Sequence, residues 1–71
     1  MFYDLFLNVQ GKKSVYIENY KNIVDYKEDK ILIQGKRELL KITGNHFKIE
    51  YFTNDNMKIV GSIDKIEIEE V

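Results

Sequence analysis

Along most of the chain, apolar residues recur at every second position, the period of a strand with one face buried. Val15 and Ile17 alternate with Tyr16 and Glu18, Ile31 and Ile33 alternate with Leu32 and Gln34, and Leu40 and Ile42 flank Lys41. Further on, Phe47, Ile49 and Tyr51 alternate with Lys48 and Glu50, Met57 and Ile59 flank Lys58, and Ile66 and Ile68 alternate with Lys65, Glu67 and Glu69. Lysine and glutamate between the apolar positions give each strand a wet face. That is the pattern of an antiparallel sheet, since a parallel sheet covered on both sides reads as continuous apolar runs.

Turn chemistry separates these runs: "QGKK" (Gln10–Lys13), "KEDK" (Lys27–Lys30), "QGKRE" (Gln34–Glu38), "GN" (Gly44–Asn45), "TNDN" (Thr53–Asn56) and "GSID" (Gly61–Asp64). Glycine and asparagine tolerate the positive φ of tight hairpins, so Gly35, Gly44, Asn45 and Gly61 are expected as structural turn residues. In particular, "LLKITGNHFKIEYF" is expected as a hairpin that enters through Leu40 and Ile42 and turns at Gly44–Asn45. It would leave through Phe47, Ile49 and Tyr51. The opening segment is read as a strand through Tyr3, Leu5, Leu7 and Val9, with a short helix through Phe2, Phe6 and Val9 as the alternative. The spacing as a whole predicts an all-β fold, a single small domain over residues 1–71 built as an antiparallel meander of about six short strands.

Seventy-one residues leave room for one core, because a chain of this size buries only about 60% of the surface that its unfolded form exposes. With no cysteine, neither a disulfide nor thiolate zinc can reinforce that core, which favours self-association as a further source of stability. Eleven basic against twelve acidic side chains give a net charge of -1, so the positive field that nucleic-acid binding needs is missing. No apolar run approaches the roughly 20 residues of a membrane-spanning helix, and no signal segment opens the chain. A cytoplasmic protein that does not insert into membranes is therefore expected.

The residues that could carry chemistry are few. His46 is the lone histidine, and nothing near it supplies the nucleophile and orienting acid of a catalytic constellation or the further ligands of zinc. It is read as an exposed histidine beside a turn. Ser14 and Ser62 fall in turns. Glu67 and Glu69 share one strand face with Lys65 and are read as solvated charge, and "TNDNMK" around Asp55 lacks the ligand spacing of a calcium loop. The reading therefore assigns no catalytic residue, no metal, no cofactor and no small-molecule substrate. Two surface features remain. Tyr16, Tyr20, Leu32, Leu39, Phe52 and Val60 fall out of step with the main apolar face, and together they are expected to form a surface for self-association or docking. Lys36 and Arg37 are expected anion contacts, which is the basis of an alternative function as a small module that recruits an anionic ligand or protein.

From Val15 to Glu70 the chain also resembles the YabP/YqfC family of bacterial sporulation proteins. The resemblance is carried by "IEN" (Ile17–Asn19), "LKITGNHFKI" (Leu40–Ile49) and the closing "VGSIDKIEI" (Val60–Ile68), similar to that family's Gly-x-Ile-x-x-Ile ending. It implies a small, β-rich protein of endospore-forming bacteria, made during sporulation and associated with spore envelope development. Joined to the surface reading above, the expectation is a non-enzymatic protein that self-associates or docks to another sporulation protein, in the mother cell or at the spore envelope. Family members often carry a longer segment before the "IEN" strand, and the chain departs from them there.

Overall fold

The computed structural model describes residues 5–70, so Phe2 and Tyr3 of the opening alternation lie outside the described residues. Six strands form: β1 (Phe6–Gln10), β2 (Ser14–Glu18), β3 (Asn22–Tyr26), β4 (Lys30–Gln34), β5 (Glu38–Phe52) and β6 (Asn56–Glu70). They make one antiparallel sheet in the order β1, β2, β6, β5, β4, β3. The all-β class and the strand count agree with the sequence pattern. The strand at the start is confirmed from Phe6 onward.

Two expectations are corrected. Gly44–Asn45 is not a hairpin turn and Gly61 is not in a turn: each lies in the middle of a 15-residue strand, β5 or β6. The order is also not a plain meander, because β3 to β6 follow one another across the sheet while the β1–β2 hairpin attaches to the far side of β6. β3 itself escapes the alternation rule. Its sequence, NIVDY, sets two apolar residues side by side, and its register against β4 skips Val24.

What makes β5 and β6 look like separate short strands is a change of parity. Leu40, Ile42 and Gly44 are buried at even positions of β5, then Phe47 is buried at an odd one. In β6, Met57, Ile59 and Ile63 are buried at odd positions, and Ile66 packs on the core from an even one. Bulges make the change. Pairing passes from Thr43↔Lys65 to Gly44↔Ile63, leaving Asp64 over, and from Asn45↔Ser62 to Lys48↔Val60, leaving His46 and Phe47 opposite Gly61. Extra residues of this kind bend the strand and sharpen its twist. At the bend, His46 takes φ 60 and Gly61 φ 149.

The glycines permit this bend by letting two backbones meet. A Cβ on Gly44 would overlap the Ser62 carbonyl oxygen and lie 2.8 Å from Cζ of Phe47. One on Gly61 would lie 2.9 Å from the His46 carbonyl oxygen and 3.0 Å from Cα of Phe47. The role expected for Gly44 therefore changes: it is needed for close approach, and its φ is not among the positive ones.

Bending breaks the ladder, and the freed N–H groups need other acceptors. The two outer turns supply them. Gly61 and Ile63 donate to the carbonyls of Lys13 and Lys12 in the β1–β2 turn, each at 2.9 Å. Gly44 and Phe47 donate to Asp29 (3.0 Å) and Glu28 (2.8 Å) in the β3–β4 turn. The same device thus serves both bent strands.

The sheet then folds over its own core. Between β2 and β3, the Asn19 N–H donates to the Asp55 carbonyl and the Lys21 N–H to Gln34, both at 2.7 Å. Two residue steps span at most about 7 Å, so the β5–β6 turn and the end of β4 are drawn together by this short link. Tyr20 sits inside it, 8% exposed, its hydroxyl donating to the Thr53 carbonyl. Val15, Ile17, Ile31, Ile33, Leu40, Ile42, Met57 and Ile59, drawn from both halves of the folded sheet, are fully buried.

The bent-strand arrangement predicts an ordering of urea midpoints. Gly44→Ala is expected to destabilise by about 3 kcal/mol through overpacking, whereas Asn45→Ala, exposed and with no positive φ, should stay within about 0.5 kcal/mol. His46→Gly should stabilise by up to about 1 kcal/mol, since glycine accepts a left-handed φ without steric cost. A hairpin turning at Gly44–Asn45 would make Asn45→Ala the costly change.

Candidate interaction surface

The six residues expected to form one apolar surface are not brought together. Tyr20 is in the core and is withdrawn from the set. Leu32 and Leu39 stand half-buried on the outer face of β4 and β5, where Leu32 pairs with Lys41 and Leu39 with Gln34. Together with Ile68 they line a shallow groove of about 430 Å³, flanked by Lys41, Glu67 and Glu69. Tyr16 and Val60 are half-buried on the other half of the sheet, Tyr16 opposite Lys58 and Val60 opposite Ser14 and Lys48. Phe52, 63% exposed, ends β5 opposite Met57. A further bulge at Glu50 turns Tyr51 away from the core to the outer face, against Lys58, so Tyr51 does not leave on the inner face as the alternation predicts.

Polar side chains follow the local turns. Thr53 Oγ1 accepts the N–H groups of Asp55 (3.4 Å) and Asn56 (3.2 Å), which gives the "TNDN" cluster a structural use in closing the β5–β6 turn. Beside it, a hollow of about 240 Å³ is lined by Phe6, Glu18, Asn19, Asp55 and Asn56. Lys36 and Arg37 are exposed in the turn between β4 and β5, which opens at Gly35. Lys12 and Lys13 lie in the turn docked on the bend of β6. His46 is exposed at the bend of β5, and among the described residues no three His, Asp or Glu side chains are grouped to hold a metal ion. Lys65 reaches Glu67 at 3.9 Å, and Lys58 reaches Glu50 at 3.5 Å. Such exposed pairs contribute at most about 1 kcal/mol each.

One group on the outer face has a displaced titration. The Tyr16 hydroxyl donates to Oε2 of Glu18 at 2.7 Å. That hydrogen bond, with burial and the negative charge of Glu18 adding to it, pushes the phenol from 10.0 up to about 12. Tyr20 is also raised, chiefly by burial.

The sequence pattern missed the exposed apolar residues along the two edges of the sheet. Phe6 and Val9 on β1 and Val24 and Tyr26 on β3 all have large exposed apolar surfaces. Their exposure depends on which strands end the sheet, and the strand order is not written in any local run of residues.

The YabP family is matched over residues 5–71. The match begins ten residues before the resemblance read from Val15 onward, and so takes in β1. No curated protein and no solved structure matches the chain.

The Tyr16 pair sets a pH signature. Between pH 10 and about 12 the unfolded chain loses a proton that the folded Tyr16 keeps, so the pair's contribution is full below pH 10 and is lost as the pH rises through 12. Ultraviolet titration of the native protein, minus that of Tyr16→Phe, should therefore show a phenol ionising near 12. In a Glu18→Gln background the same difference should move back toward 10. A midpoint near 10 in both backgrounds would contradict the assigned pair.

Proposed function

The chain belongs to the YabP family, and from that membership we propose a sporulation-related protein that works by docking or self-association during spore envelope development. The family match over nearly the whole chain is the observation that carries the reading. The placement of side chains supports it: the core takes up most of the alternating apolar residues, and Phe6, Val9, Val24 and Phe52 stand exposed where a partner can cover them. The reading assigns no catalytic role to His46, which stands at the bend of β5 with φ 60.

The test is genetic and separates binding from catalysis. In an endospore-forming host that carries the gene, deletion should lower the yield of heat-resistant spores, and the wild-type chain should restore it. His46→Asn, which tolerates the left-handed φ while removing the imidazole, should restore it equally well. Failure of that variant to restore the yield, with an unchanged urea midpoint, would overturn the non-enzymatic reading. An unchanged spore yield on deletion would overturn the sporulation reading.

A further inference from the structure

The two edges of the sheet are finished differently. On β3, the register slips at Val24, and Asp25 sits within 4.0 Å of Lys27 and 3.9 Å of Lys30. A bulge and a charge cluster are two of the devices that keep an edge strand from pairing with another chain. β1 has neither. Its sequence, FLNVQ, contains no charged side chain and no proline. Its register with β2 runs without a slip from Phe6↔Glu18 to Gln10↔Ser14. In an antiparallel ladder every second residue of an edge strand turns its N–H and C=O outward, and among the described residues no strand lies on that side of β1.

We propose that β1 is a dimerisation edge, pairing antiparallel with β1 of a second copy about a twofold axis at Asn8. The proposal rests on the self-association reading above and names its surface. β1 is complementary to itself in this register. Leu7 falls opposite Val9 of the partner copy, Phe6 opposite Gln10, and Asn8 opposite Asn8, so no like charges meet. Faces match as well. Leu7 pairs with Ile17 and Val9 with Val15, both buried, so these two side chains share the core side of the sheet. Val9, 45% exposed in the single chain, would gain the partner's Leu7 beside it, and the apolar layer would continue across the axis. Phe6, 52% exposed on the other face, would gain the stem of the partner's Gln10. Such a contact is isologous and closes at two copies, leaving the guarded β3 edges at the ends of a twelve-stranded sheet.

Sedimentation equilibrium of the purified chain tests this apart from any sporulation phenotype. The wild-type chain should show a reversible monomer–dimer equilibrium. Asn8 is exposed on the outer face, so Asn8→Lys and Asn8→Glu should leave the urea midpoint nearly unchanged. Each alone should dimerise about tenfold more weakly or worse, because like charges meet at the axis. An equimolar mixture of the two should recover a heterodimer. Val24→Lys, at the other edge, should dimerise like the wild type. A wild-type chain that stays monomeric at every concentration would leave the edge to a strand of a different protein and overturn the proposal. Dimerisation that ignores the Asn8 charges, or a mixture that forms no heterodimer, would overturn it as well.

Discussion

The close approach of β5 to β6 at Gly44 and Ser62, where a Cβ would overlap the facing carbonyl, sets the shape of everything around it. Two antiparallel strands of fifteen residues would form a long, flat ribbon, with too little apolar area on one face to hold together. Bent in the middle, the same two strands bring Leu40 and Ile42 from one arm and Met57 and Ile59 from the other into one core. The bend requires the backbones to come nearer than a Cβ allows at Gly44 and Gly61. It also places two residues at positive φ, Gly61 and the non-glycine His46.

From that bend the remaining elements follow. Broken ladder positions at Gly44, Phe47, Gly61 and Ile63 are taken up by carbonyls of the two outer turns, so the β1–β2 and β3–β4 hairpins are pinned at their tips as well as along their strands. The short link through Asn19, Tyr20 and Lys21 joins the far ends of the two arms. A chain without cysteine, this small, is held by one shared apolar layer and by the hydrogen bonds that close it. Outside that layer, Phe6, Val9, Val24 and Tyr26 stay exposed on the two edge strands.

Much of this was legible in the residues, and the part that was not has a definite physical cause. Alternation placed Val15, Ile17, Ile31, Ile33, Leu40, Ile42, Met57 and Ile59 inside, where they are. It could not tell a hairpin at Gly44–Asn45 from a bend. A two-residue turn there would set Ile42 opposite Phe47 and Leu40 opposite Ile49, keeping all four on one face, and the bulged strand does the same. Both solutions satisfy the local pattern, and the pairing with β6, far along the chain, decides between them. Tyr20 was misplaced for a related reason: it follows β2 in the alternation but belongs to the link, where Asn19 at φ 74 resets the direction of the chain. Val24 and Tyr26 were overlooked because an edge strand with a bulge has no strict period.

β5 and β6 are each one bent strand, paired with each other along their length. Nuclear Overhauser contacts between backbone protons distinguish this pairing from separate hairpins. Cross-strand contacts joining Ile42 to Ile66, Asn45 to Ser62 and Ile49 to Ile59 are expected. Strong backbone contacts joining Ile42 to Phe47 and Leu40 to Ile49, with those to β6 missing, would contradict it.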